Sequence, residues 1–125
     1  MKQHFIDASA FIAQSRADDQ YHAKALIIAK KLQKENSIGI TTLRTRVGHQ
    51  AAIKFYKAVQ AGSNLKIIYT KQEDFEQAIK IFEKYSDKDF SFVDCVSFAI
   101  MQNYKITQAF TFDKHFEQAG FEMIK

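Results

Sequence analysis

Three aspartates stand where this sequence could do chemistry. Asp7 closes the run His4-Phe5-Ile6-Asp7, Asp113 closes Thr111-Phe112-Asp113, and Asp94 lies in a stretch from Val93 to Met101 that is otherwise apolar except for Ser97. An unpaired charge inside an apolar helix is costly, so Asp94 needs a partner or a cation. Asp7 and Asp113 can each serve as a helix N-cap, contributing about 1 kcal/mol, or as a ligand. If the three converge, repulsion governs the site: two carboxylates ~4 Å apart repel by roughly 4 kcal/mol at an effective dielectric near 20. Such a cluster takes up protons or binds a hard cation. With no imidazole or thiolate at ligand spacing, an all-oxygen set favours Mg²⁺ or Mn²⁺ over zinc. A cation held this way polarises a phosphodiester, activates a water and neutralises the leaving alkoxide, and the reaction class is metal-assisted phosphodiester hydrolysis.

The elements that must position these residues alternate between strand and helix. His4 to Ile6 is a short strand, followed by a helix that Asp7-Ala8-Ser9 can cap. Tyr21, Ala25, Ile28 and Leu32 recur at helical spacing, with Lys24, Lys30, Lys31 and Lys34 on the exposed side, and Asn36-Ser37 ends that helix. Ile38 to Thr42 reads as a second strand. Val47, Ala51, Phe55 and Val59 form another helical stripe, closed by Gly62. Leu65 to Tyr69 is a third strand. Thr70 and Glu73 make a capping box for a helix with Phe75, Ala78, Ile79 and Phe82 on one face. Ser91 caps the apolar helix carrying Asp94, which belongs in the middle of the protein. Gln108 to Phe112 is a fourth strand, Asp113 starts a short helix ending at Gly120, and Phe121 to Ile124 can form a fifth. The alternation implies an α/β fold: a parallel sheet of four to five strands with helices on both faces. In such sheets ligands bind beyond the carboxyl ends of the strands, where Asp7 and Asp113 fall.

Composition bounds the rest. The chain has 125 residues, 46% hydrophobic and 26% charged, with twelve phenylalanines, no tryptophan, no proline and four glycines, which fits one domain over residues 1–125 without linkers. Cys95 is the one cysteine, so neither an internal disulfide nor a cysteine zinc site is available. The N-terminus does not read as a signal peptide, and no apolar run approaches the roughly 20 residues that span a bilayer, so a reducing cytoplasm and no membrane are expected. The net charge of +4 is compatible with a phosphate-bearing partner and equally with a solvated basic face.

Three segments carry a family resemblance. Phe5-Ile6-Asp7-Ala8-Ser9-Ala10-Phe11-Ile12-Ala13 resembles the opening of PIN domains, Lys88-Asp89-Phe90-Ser91-Phe92-Val93-Asp94-Cys95 their central motif, and Thr111-Phe112-Asp113-Lys114-His115-Phe116 their C-terminal one. Order, spacing and strand–helix context agree over nearly the whole chain, most closely with VapC-type toxins of toxin–antitoxin pairs. The resemblance implies a PIN-like three-layer sandwich and an Mg²⁺- or Mn²⁺-dependent ribonuclease. Asp7, Asp94 and Asp113 would carry the metal and the catalysis, and Ser91 would support them by hydrogen bonding. It further implies an RNA substrate, an antitoxin partner and a homodimer.

The chain departs from that pattern after the second strand. The family places a fourth acid there, usually glutamate, but Thr41-Thr42 runs directly into Leu43-Arg44-Thr45-Arg46-Val47-Gly48-His49. About ten residues are missing, roughly 15 Å of helix. Glu35 lies about 16 Å away along the second strand, Glu73, Asp74 and Glu76 suit a helix first turn, and Asp87 and Asp89 read as loop acids. A catalytically impaired relative that binds antitoxin or RNA without cutting it is therefore the alternative to an active enzyme. Arg44 and Arg46 can face RNA phosphate or solvent, or enter the cleft and neutralise Asp7 or Asp94. The shortened segment also suggests that residues 43–61 form one projecting helix, exchanged between the subunits of a dimer. A flavodoxin-like response domain also gathers aspartates at strand ends, but it fits less well, because the chain opens with a single aspartate and lacks the lysine after a late strand. His115 could touch a phosphate but is expected rather to pack between Phe112 and Phe116, and Cys95 to be buried and inert.

Overall fold

The computed structural model describes residues 2–42, 53, 54, 57 and 64–125. Five strands, β1 (Gln3–Ile6), β2 (Ile38–Thr42), β3 (Leu65–Ile68), β4 (Gln108–Phe110) and β5 (Glu122–Met123), form one parallel sheet in the order β3-β2-β1-β4-β5. The first strand is thus central. The chain builds outward to β2 and β3 on one side, then returns to lay β4 and β5 on the other. That reversal opens a crevice beyond the carboxyl ends of β1 and β4, the place where open α/β sheets bind ligands.

Side-chain alternation along the central strand explains the two layers of helix. Phe5 and Ile6 point to opposite faces. Phe5 joins Ile40, Ile68, Phe116 and the buried residues of α3 (Gln72–Lys84) and α4 (Phe92–Asn103). Ile6 joins Phe110, Ile124, Ala10 and Ala13 of α1 (Ala8–Ser15) and Ala25, Ile28 and Leu32 of α2 (His22–Lys34). A fifth helix, α5 (His115–Gln118), precedes the last strand. The three-layer arrangement expected from the sequence is therefore present, with the helix from Cys95 to Met101 fully buried, as its composition required.

Local signals set most boundaries. Asn36 takes φ 54° and Ser37 N–H returns to Leu32 O, ending α2, while Gly120 takes φ 97° behind α5. The third and fourth strands stop earlier than their apolar runs suggested, at Ile68 and Phe110. Tyr69 is largely solvent-exposed, and beyond Phe110 the backbone turns to bond side chains instead of a neighbouring strand.

The helix α3 differs from its sequence reading in two ways. Its N-cap is Lys71, not Thr70, and Asp74 rather than Glu73 reaches back to accept the cap N–H at 2.9 Å. Its buried stripe is Asp74, Ala78 and Ile81, whereas Phe75, Ile79 and Phe82 remain about half exposed. A buried carboxylate is tolerated because Asn103 Nδ2 donates to its other oxygen at 2.8 Å. The Val47–Val59 stripe and its closing Gly62 lie outside the described residues, except that Ile53, Lys54 and Lys57 are helical.

Candidate active site

The crevice is built from the ends of β1 and β4 and the start of α4. Asp7 follows β1, and its N–H makes the last bond toward β4, donating to Phe110 O at 3.1 Å. Extended backbone at Asp7 then gives way to α1, for which it is the N-cap. Its Oδ2 accepts from Ser9 Oγ at 2.8 Å, from Thr111 Oγ1 at 3.0 Å and, more weakly, from Ser9 N at 3.4 Å. The capping role anticipated from sequence is real, but it accounts for one of these three contacts.

Thr111 is the junction of the site. It is 1% exposed, and each hydroxyl owns a single proton. The Thr111 proton goes to Asp7, and its lone pairs receive Asp113 N–H at 3.0 Å. Ser9 is used in the same way: its proton goes to Asp7, and Phe112 N–H donates to its oxygen at 3.1 Å. Two hydroxyls thereby clamp the carboxylate after β1 to the backbone carrying Asp113 after β4. The sequence reading did not single out Thr111, and it treated Ser9 only as part of a cap.

Asp94 enters from the other side, at the third position of α4. Ser91 Oγ accepts Asp94 N–H, and Asp94 Oδ2 accepts Ser91 N–H, both at 3.0 Å. This reciprocal box fixes the carboxylate rotamer. The partner that an acid in this helix required is also present: His115 Nδ1 lies 2.9 Å from Asp94 Oδ2 and 3.4 Å from Asp113 Oδ1. His115 N–H separately donates to Asp113 Oδ1 at 2.9 Å.

Asp94, Asp113 and His115 each offer one ligand atom within 4.8 Å of the others, all partly buried. Two of the three predicted acids are thus side by side, and Asp7 is joined to Asp113 through one hydroxyl. The histidine overturns two sequence expectations. An imidazole does stand at the site, and it does not pack between Phe112 and Phe116. Its ring meets Phe90 edge-on at 5.5 Å, while Phe112 stacks on Tyr21 at 4.5 Å and Phe116 is buried against Phe98. The signal available was its position two residues after Asp113, where an aspartate commonly turns to accept the backbone N–H two residues on.

The donor set fits a divalent cation. Among the described residues, Asp7 Oδ1, Asp94 Oδ1 and Asp113 Oδ2 have no hydrogen-bond partner, so each carboxylate keeps one oxygen available. The other acids are elsewhere. Glu35 pairs with Lys2 at 2.7 Å at the opposite end of the sheet, Asp74 caps α3, and Glu73, Glu76, Asp87 and Asp89 are exposed. Cys95, next to Asp94, is fully buried. Burial pushes its thiol pKa up, and the Asp94 charge adds to that, which agrees with an inert side chain. Arg44, Arg46 and His49 lie outside the described residues.

Known proteins resemble this chain in sequence and fold. The family described as PIN domain matches residues 4–122. The 23S rRNA-specific endonuclease VapC20 of Mycobacterium tuberculosis, from two strains, is 30% identical over 128 aligned residues covering 97% of both chains. The crystal structure of M. tuberculosis VapC20, described as a sarcin-ricin loop cleaving toxin, superposes with a TM-score of 0.74 at 28% identity, covering 94% of this chain and 95% of that one. Family match, fold and near-complete coverage agree: the chain belongs to the PIN-domain family of nucleases, in its VapC branch.

Proposed function

We propose that residues 1–125 act as one unit, an Mg²⁺- or Mn²⁺-dependent endoribonuclease of the VapC toxin type, with Asp7, Asp94 and Asp113 as both metal ligands and catalytic residues. The observation that carries this reading is the meeting of Asp94, Asp113 and His115, with Asp7 tethered beside them through Thr111. A bound cation would supply Lewis acidity toward the scissile phosphate and a water of lowered pKa. The protein does the positioning. Ser91 holds Asp94, Ser9 and Thr111 hold Asp7, and their hydrogen bonds leave one oxygen of each carboxylate for the ion. The site lies at the rim of the sheet, where a strand of RNA can reach it without being enclosed.

VapC20 is named for cleavage of 23S rRNA at the sarcin-ricin loop, which supports structured RNA as the substrate class here. From Asn36 to Gln72 the chain carries no Asp or Glu but includes Arg44, Arg46, Lys54, Lys57, Lys66 and Lys71. That run, with exposed Lys24, Lys30, Lys31 and Lys34 on α2, gives RNA phosphates a basic approach. In this reading the protein works in the cytoplasm under an antitoxin that covers the site. It forms a homodimer, for which the half-exposed Phe75, Ile79 and Phe82 offer apolar area; the exchanged helix expected over residues 43–61 falls almost entirely outside the described residues.

The test is incubation of the protein with structured RNA and Mn²⁺ beside an Asp7→Asn control. Cleavage that disappears in the control is the expected result. The second reading, a binding protein that does not cut, is favoured by the acid-free segment after β2. The alignment with VapC20 spans 128 positions against 125 residues here, so that relative carries residues without counterparts in this chain. RNA retained but not cut, with Mn²⁺ affinity no higher than that of Asp94→Ala, would establish the second reading over the first.

A further inference from the structure

We propose that His115 is a direct nitrogen ligand of the catalytic cation, filling the coordination place that a carboxylate after β2 would otherwise take. The inference rests on the metal-dependent reading above and adds to it a ligand outside the three aspartates. No residue between Glu35 and Glu73 is acidic, so the segment following β2 cannot contribute a carboxylate in any conformation. Exposed Glu73 and Glu76 belong to α3, and the one buried acid of that helix, Asp74, is committed to Lys71 and Asn103. The next donor beside Asp94 and Asp113 is an imidazole.

Its geometry suits the role. Two neighbouring ligand atoms on an octahedral ion at about 2.1 Å stand roughly 3.0 Å apart. Nδ1 of His115 lies 2.9 Å from Asp94 Oδ2 and 3.4 Å from Asp113 Oδ1, and each of these oxygens keeps a second lone pair beside the backbone N–H it accepts, so a small ion can replace the contact with little movement of the three side chains and draw on these oxygens as well as the two unbonded ones. The ring is held from outside the cluster, edge-on against Phe90, and its backbone N–H is tied to Asp113. Nδ1 therefore faces the carboxylates with its orientation already restricted, as metal-bound histidines generally are. A nitrogen donor also changes selectivity. Mn²⁺, the hardest of the divalent first-row transition ions, still accepts an imidazole nitrogen more readily than Mg²⁺ does, so the site is biased toward Mn²⁺ over Mg²⁺ beyond what oxygen ligands alone would give.

The other histidines among the described residues have different employment. His4 Nδ1 contacts Ser37 Oγ at 2.6 Å, and His22 Nδ1 contacts Ala13 O at 2.7 Å. His49 is controlled for by substitution.

The experiment loads the full-length protein with Mn²⁺ alone and records pulsed electron paramagnetic resonance. Bound Mn²⁺ is expected to show ¹⁴N modulation that converts to a ¹⁵N pattern when only histidine is isotope-labelled. The signal should vanish in His115→Ala, survive in His49→Gln, and be accompanied in His115→Ala by a fall in Mn²⁺ affinity of roughly tenfold or more. The His115→Gln variant, which keeps side-chain polarity, guards against loss of folding. Mn²⁺ that binds with an oxygen-only spectrum, or nitrogen modulation that persists in both His115 variants, overturns the assignment while leaving the metal site standing. If the unaltered protein retains no Mn²⁺, the metal-dependent reading fails and this inference fails with it.

Discussion

Nδ1 of His115 stands 2.9 Å from Oδ2 of Asp94, although the two residues are 21 positions apart in the chain. The contact joins the first turn of α4 to the start of α5, and it places the one basic group among the described site residues between two carboxylates. Asp7 reaches the same neighbourhood by another route, through the Thr111 hydroxyl. The site is therefore a network rather than a bare cluster of acids, and its members can be tested one at a time.

Thr111→Val keeps the shape of the side chain but removes the donor to Asp7 and the acceptor for Asp113 N–H. Because the group is buried, the loss should destabilise the fold by about 1–3 kcal/mol. Cleavage and Mn²⁺ binding should fall at least as far as in a variant of equal stability loss elsewhere in the core. Urea unfolding paired with a cleavage assay separates the two effects.

Ser91→Ala removes the cap of α4 and one half of the box that fixes Asp94. A stability loss near ~1 kcal/mol is expected. The variant should bind Mn²⁺ more weakly but retain the site, because Ser91 N–H still donates to Asp94. Calorimetric titration against the unaltered protein measures this directly.

Acid should weaken the fold through His4. The ring is buried, and its pKa is pushed down from 6.5 to about 4, chiefly by burial, with Lys2 assisting and Glu35 opposing. Between those values the unfolded chain binds a proton that the folded protein refuses. This contribution to stability is complete above the upper value, 6.5, and is lost progressively as the pH falls toward 4. The total is roughly 3 kcal/mol. Denaturant midpoints across that window should decline, and His4→Asn should flatten the decline.

Cys95 should ignore thiol reagents in the native protein. It is fully buried, and both burial and the neighbouring Asp94 charge disfavour the thiolate. A colorimetric thiol assay should give no reaction until denaturant is added, and prompt reaction in the folded state would contradict the burial.

Much of this was legible in the sequence because its signals are local. A strand ending in aspartate before a helix, a serine three residues ahead of Asp94, and a period of apolar residues each act within one element. Those patterns carried the parallel α/β fold, both helix layers and the approach of Asp94 to Asp113. The remainder depends on distant partners. Thr111 and Asp7 are 104 positions apart, and nothing near either residue announces the other. Spacing in α3 was equally silent. Phe75, Ile79 and Phe82 look like the core face, yet the helix buries Asp74, Ala78 and Ile81, because Lys71 N–H and Asn103 satisfy the carboxylate. His115 was assigned to packing because two phenylalanines flank it within four positions, and each of those rings has a different partner.

The most direct test of the account is a crystal of the protein soaked in Mn²⁺, with anomalous diffraction recorded at the manganese edge. A single strong peak in contact with Asp7, Asp94 and Asp113, at the carboxyl ends of β1 and β4, is the predicted result. A peak elsewhere, or no peak with the three side chains turned away from one another, would contradict it.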